Sequence, residues 1–499
     1  MASTSTAVSN SSVARVVGIQ AKAQGFTAGN IQNLPQRIMV VGQGSTTATY
    51  PLTKLQIASA QEAGETYGFG SPIHLAALQL LPVNGDGVGA VPVTIYPLED
   101  DGSGVAATGD ITPSGTQTKA AQYTVRINGI SSEPFVVLTG ASVADITASI
   151  TTAISAAVAL PVTATDNGTD VAITSKWAGV SANDIYVEII GDASAGTTFA
   201  VTQPTGGLVN PDVTTALDLV GDVWESAIVN CLNYTDATTL DLYQAFGVGR
   251  WGALTKKPLV VYTGTNESDR NVVTTITDAR NLDYINVIIP TPGSVDLPLV
   301  IAARAAARTV TRANDNPPRD YGSMVLSGIE PGDDALQWDY TERNIAVLAG
   351  SSTTEVKSGS VTLSDTVTCY HPEGDPLPAY RYVCDIVKLQ NIIYNLNLIF
   401  ESEEWDGAPL VPDDQRLTNP AAKQPKMAKA AVNAMIDDLG LQAILSDPET
   451  AKKNTVVSIN DQNPKRLDIV MSVQLSGNAN IISIDLNFGF YFGSSTLIA

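Results

Sequence analysis

After the pentapeptide Ser476-Gly-Asn-Ala-Asn480, the chain places an apolar side chain at every second position: Ile482, Ile484, Leu486, Phe488, Phe490 and Phe492. A period of two is that of a β-strand with one buried face. At about 1.5–3 kcal/mol per side chain covered, such a face is worth on the order of 10 kcal/mol before ordering costs. Left open, it is an aggregation site. Either the chain's own sheet or the sheet edge of another copy must cover it. A first alternating run precedes it, with Leu467, Ile469, Met471, Val473 and Leu475 on the odd positions.

The other end of the chain has a counterpart. Residues 1–33 are small and polar, carry Arg15 and Lys22 but no acidic residue, and contain one strand-like patch through Val13, Arg15, Val17 and Ile19. This pattern predicts an N-terminal arm rather than a domain. Two terminal segments able to join a neighbour's sheet edge are what a polymer held by strand addition requires, because main-chain hydrogen bonds tie subunits without side-chain specificity.

Between the ends, short apolar runs alternate with helical stretches. Arg37-Ile-Met-Val-Val-Gly42 reads as a buried strand, followed by helices over 53–67 and 71–81 and a strand over 91–96. From 101 to about 207 the texture changes to Gly, Thr, Ala and Asp, with period-two runs such as Tyr123-Thr-Val-Arg-Ile127 and one helix over 142–160. Residues 101–200 hold nine acidic and three basic side chains, as expected of a solvent-facing insertion. The alternation resumes with helices over 238–246, 268–280 and 296–311 and strands over 258–262 and 285–289. Strands separated by such helices predict a largely parallel sheet covered on both faces. Past Asn316-Pro-Pro-Arg319 come a strand, a helix over 340–348, a hairpin over 354–370, and helices over 378–403, 425–439 and 442–446.

The fold class expected is therefore an α/β core with a largely parallel sheet, an inserted α+β or β-rich domain, an α+β C-terminal domain and extended terminal arms. The expected boundaries are an arm at 1–33, core at 34–100 and 208–376, insertion at 101–207, C-terminal domain at 377–475, and a strand or arm at 476–499.

Charge and composition exclude several roles. A net charge of −22 over 499 residues repels nucleic acid and anionic lipid. No apolar run approaches the roughly twenty residues of a membrane span. The first twelve residues have neither the basic start nor the apolar centre of a signal peptide, so a cytosol-like compartment is expected. Cys231, Cys369 and Cys384 lie far apart without CxxC spacing and read as reduced core residues. His74 and His371 are the only histidines, and neither has a partner at metal-ligand spacing. No Gly-x-Ser-x-Gly elbow occurs, and Gly42-Gln-Gly44-Ser45 lacks the third glycine of a dinucleotide loop and the Gly-Lys-Ser/Thr of a P-loop. The adjacent carboxylates Glu403-Glu404 and Asp437-Asp438 read as solvated faces. No enzyme, metal or cofactor is expected.

One stretch runs against the overall charge. From 416 to 466 there are eight basic and five acidic residues, and Lys423, Lys426 and Lys429 recur every third position at a helix start. They form either a solubilising face or a face that docks on an acidic partner.

The order of parts resembles the contractile tail sheath proteins of myoviruses and related injection machines. The likeness lies in the arm, the core opening with Arg37-Ile-Met-Val-Val-Gly42, the insertion with Gly129, Asp145-Ile146 and Lys176-Trp-Ala-Gly-Val-Ser-Ala-Asn-Asp-Ile185, and Tyr380-Arg-Tyr-Val-Cys-Asp-Ile386 leading into a long helix. The resemblance implies a subtilisin-like core without its chemistry, and stacked hexameric rings around a tail tube with arms linking neighbours. It also implies baseplate and tail terminator proteins as partners, a C-terminal domain facing the tube, and contraction that drives the tube through a host envelope. The place implied is the virion tail, with assembly in the host cytoplasm. On that picture Lys423, Lys426 and Lys429 are tube-facing candidates. A different self-assembling shell or surface-layer protein would share the strand ends and lack the tube.

Overall fold

All six residues of Ile38–Gln43 are buried, as in a central strand covered on both faces. In the computed structural model, which describes residues 31–375 and 378–488, this run is β1. It is followed by β2 (Leu55–Ile57), α1 (Ala60–Tyr67), α2 (Pro72–Leu80) and β3 (Val93–Leu98). The helix expected from residue 53 starts only at 60. Ser59 is extended and its hydroxyl accepts from the Glu62 amide, which fixes the helix start there. Leu55–Ile57 instead runs antiparallel to β3 as an edge strand.

The next residues supply β4 (Ala106–Gly115), β5 (Ala121–Ile127), β6 (Ile130–Ser131), β7 (Phe135–Val137), α3 (Val143–Ala156), β8 (Val162–Asp166), β9 (Val171–Ala178), β10 (Val187–Gly191) and β11 (Thr197–Thr205). They make two antiparallel sheets: β11-β4-β9-β8, and β10-β5-β6 with β7 beside β5. Ser142 and Asp145 form a reciprocal capping box that starts α3. The buried residues here, Ile111, Val125 and Trp177 among them, belong to the same apolar cluster as Ile38 and Ile95 of the parallel sheet.

The alternation then resumes with α4 (Thr214–Asp218), β12 (Ala227–Asn230), α5 (Ala237–Trp251), β13 (Val260–Thr265), α6 (Arg270–Asp278), β14 (Asn286–Pro290) and α7 (Pro298–Asp315). The main sheet has the order β14-β13-β12-β1-β3-β2, parallel throughout except at the β2 edge. Successive side chains of β1 enter opposite clusters, Ile38 and Val40 on one face and Met39 and Val41 on the other. Helix α7 lies close against β13 because its sheet-facing side is rich in alanine and because Gly264 has no side chain. A Cβ there would sit 2.0 Å from the Pro298 carbonyl oxygen.

The last third holds α8 (Tyr340–Leu348), the hairpin β15 (Thr353–Lys357) and β16 (Ser360–Asp365), α9 (Val383–Phe400), α10 (Pro425–Leu441), α11 (Pro448–Asn454), β17 (Val456–Ile459) and β18 (Leu467–Val470). The strand expected after 319 is reduced to a single bridge between Val325 and Thr362. Helix α9 begins at 383 rather than 378, because residues 367 and 382 pair as an isolated bridge. No helix forms over 442–446, where Ala443 takes φ 58 and Ile444 N–H closes back on Leu439. The helix instead starts after Asp447, whose carboxylate accepts from the Thr450 amide, with Pro448 in the first turn.

Candidate assembly site

Helix α9 joins two apolar clusters. Val383, Cys384 and Ile386 lie in the cluster of the main sheet, while Ile392 packs with Val432, Met435, Ile436 and Leu439 of α10. Against this second cluster lie Ile469, Met471, Val473 and Leu475, so most of the odd-numbered apolar set faces inward as its alternation predicts. Only 467–470 form a regular strand, antiparallel to β17. Farther on, Leu475 makes an isolated bridge with Leu445.

The second alternating set is placed differently. Ile482, Ile484, Leu486 and Phe488 are 75%, 80%, 79% and 84% exposed, and residues 477–488 form no strand with any described part of the chain. Covering by the subunit's own sheet therefore does not occur among the described residues. Phe490 and Phe492 lie outside the described residues, as do Val13, Arg15, Val17 and Ile19 of the N-terminal arm.

Close by in the chain is a sheet short of partners. β17 and β18 make a two-stranded sheet to which no third described strand is added. Its cross-strand pair Val456 and Val470 is 58% and 61% exposed. A strand added to either side would gain main-chain hydrogen bonds and apolar cross-strand neighbours. Sequence reading overlooked this sheet, because Val456-Val-Ser-Ile459 is short and sits inside the charged stretch.

The three lysines do not share one face, contrary to expectation. Gln424 is the N-cap of α10 and Pro425 its first residue, so Lys423 precedes the helix. Lys423 is 7% exposed, pairs with Glu404 and lies 5.5 Å over the Trp405 ring. Lys426 is exposed and its Nζ donates to the Asp413 carbonyl at 2.7 Å, and Lys429 is half-buried.

Titratable groups elsewhere are tied into structure. His74 is buried, its Nδ1 accepting from the Gly70 amide at 3.0 Å; burial, and then nearby Lys176, lower its pKa to about 4. His371 contacts the Cys369 carbonyl through Nδ1 at 2.6 Å and Asp278 through Nε2 at 3.1 Å. Lys176, from the motif singled out in the sequence, donates to the carbonyls of Phe69 and Val158 at 2.8 Å each, and burial lowers its pKa to about 8. It ties the antiparallel sheets to the turn between α1 and α2. All three cysteines are free and buried.

Two carboxyls at the junction of the antiparallel sheets with the core, Asp296 buried and Asp184 half-buried, are raised by desolvation, Asp184 to about 6 and Asp296 to about 7. Asp296 accepts from the Glu330 amide at 2.6 Å, while Asn128 bridges the carbonyls of Asp184 and Val295 at 3.1 and 2.9 Å. A polar cleft of about 540 Å³ lies beside the root of the tail, and inside it Arg343 and Lys357 both pair with Glu355. Among the described residues, no group of three His, Cys, Asp or Glu side chains could hold a metal ion, and no helix is long and apolar enough to cross a membrane.

Among the described residues, then, an exposed apolar run stands near a two-stranded sheet with no third strand, and one prophage protein is similar to the chain that carries them. The Mu-like prophage FluMu tail sheath protein of Haemophilus influenzae is 26% identical over 403 residues, spanning 79% of this chain and 81% of that protein. The chain is a relative of the phage tail sheath proteins. The fold agrees with that of a chain in the contracted anti-feeding prophage baseplate, with TM-score 0.50, 10% identity, and 96% of this chain and 98% of that one covered. A sheath tail protein of Listeria innocua gives TM-score 0.49 at 12% identity, covering 91% of this chain and 95% of its own. No family model matches.

Proposed function

We propose that this relative of the tail sheath proteins is itself the subunit of a contractile tail sheath, and that its C-terminal tail is the strand by which one copy joins the next. The observation that carries the reading is the exposure of Ile482, Ile484, Leu486 and Phe488 on a run with strand periodicity. Burying four such side chains contributes roughly 6–12 kcal/mol before ordering costs, enough to hold copies together when repeated along a polymer. The acceptor is the β17–β18 sheet of a second copy, whose free edges and exposed Val456 and Val470 suit an added strand. The N-terminal arm, through Val13, Arg15, Val17 and Ile19, supplies the other link.

Stacked rings around a tail tube follow from this reading, with the virion tail as their place and baseplate and terminator proteins at their ends. The chain then acts mechanically and not as an enzyme. Contraction moves whole subunits while lent strands act as hinges, since a tail with no described contact beyond its root can change direction without unfolding the body. The Gly/Thr-rich sheets lie outside and the α10 region, with Lys426 and Lys429, faces the tube. The subtilisin-like ancestry of the parallel sheet belongs to the same reading.

Removal of the residues after Asn480 tests the reading directly. The truncated chain is expected to remain a folded subunit, because the apolar clusters hold no residue beyond Leu475, and to form no tubes in electron micrographs. Tubes of full-length abundance from the truncated chain would overturn strand lending.

A further inference from the structure

One fully buried cation has a place in neither the α/β core nor the exposed tail alone. Lys388 lies in the middle of α9, its side chain at 0% exposure, and its Nζ donates to Asp385 Oδ1 at 2.8 Å, the Ser476 carbonyl at 2.6 Å and Asn478 Oδ1 at 2.7 Å. Three donors meet three acceptors, the condition for keeping an ammonium out of water. Two of the acceptors belong to the root of the tail, more than eighty residues along the chain.

Other contacts complete the grip. The Asn478 side-chain amide donates to the Pro318 carbonyl at 2.8 Å, in the loop that follows α7, and the Ser476 amide donates to Ile444 at 3.0 Å. Cys384 Sγ approaches Asn478 Oδ1 at 3.6 Å. The hold ends abruptly: the Asn480 amide closes a tight turn on the Asn478 carbonyl at 2.9 Å, and Ile481, the next residue, is 88% exposed.

From this geometry we infer that Lys388 is the positioning residue of the assembly tail. It fixes where and in which direction the tail leaves the subunit, and confines hinge motion to the residues from Asn480 onward. Because α9 reaches into the cluster of the main sheet, a pull on the tail is carried to the α/β core rather than peeling β18 from β17. The inference rests on the strand-lending reading for its purpose, but the clasp can be measured on a single subunit.

The test is Lys388→Met in the full chain, read by amide hydrogen exchange on unassembled subunits and by tube length in electron micrographs. Exchange at Ser476 and Asn480 is expected to accelerate about tenfold or more while the α9 and β1 amides keep their protection, and tubes are expected to be several-fold shorter. Unchanged exchange at 476–480 overturns the clasp. Accelerated exchange with tubes of normal length overturns its role in positioning. Should Lys388→Met not fold, Asn478→Ala leaves the pair with Asp385 in place and loosens the same root, with the same outcomes. Failure of strand lending itself would appear elsewhere, as tube formation by the chain cut after Asn480, which keeps the clasp.

Discussion

A lysine in a largely apolar helix is a signal that a sequence carries but does not explain. Asp385-Ile-Val-Lys388-Leu-Gln-Asn391 shows the cation among apolar neighbours, yet its acceptors at 476 and 478 are fixed by tertiary contact alone. The reverse error concerns Lys423, whose threefold spacing with Lys426 and Lys429 suggested a face until Pro425 set the helix start behind it. Asp296 is also invisible in the sequence as an unusual group. Its burial at the junction raises its pKa to about 7, against about 3.9 in an unfolded chain. The folded state holds this proton more tightly, so the stabilisation is complete below pH 4 and is lost as pH rises through 7. Asp184 contributes in the same sense up to about pH 6. Thermal unfolding of unassembled subunits should therefore become easier between pH 5 and 7.5. Asp296→Asn should remove part of that slope, on the order of 2 kcal/mol, and an unaltered slope would mean that Asp296 does not titrate there.

At the scale of elements, the strands of the parallel sheet are legible because runs buried on both faces leave no alternation and end at turn residues, as in Ile38–Gln43 and Val260–Thr265. What escapes notice is decided by caps and by partners distant in sequence. Ser59 moves the start of α1, Asp447-Pro448 moves the last helix, and the β2 edge strand exists only because β3 lies beside it. The terminal run has a strand's period, whereas the sheet proposed to accept it gives no such signal, since Val456-Val-Ser-Ile459 carries two exposed and two half-buried residues and no clean alternation of chemistry. The acceptor assignment makes its own prediction. Val470→Lys places a charge on the exposed face of the two-stranded sheet, where a surface substitution changes subunit stability by about 0.5 kcal/mol or less. Soluble, folded subunits with sharply reduced polymerisation are expected by melting curves and light scattering. Polymerisation at the parental rate would move the acceptor elsewhere.

For the whole molecule, the described residues form a packed body from which an exposed run departs. The parallel sheet, the antiparallel sheets and the α9–α10 unit are knit by buried clusters and by bonds such as those of Lys176, Asn128 and Lys388, whereas residues 481–488 are exposed and join no described strand. On the proposed reading, such a division would let copies move as units while staying linked, which is what a contracting sheath would demand of its subunits. The central claim is that the tail of one copy becomes a strand of another. A helical reconstruction of assembled tubes at a resolution that traces the main chain tests it most directly. The account predicts residues 481–488 of one copy paired beside β17 or β18 of a second, with their apolar side chains covered. Density that returns those residues to their own subunit, or leaves them unpaired in the tube, would contradict it.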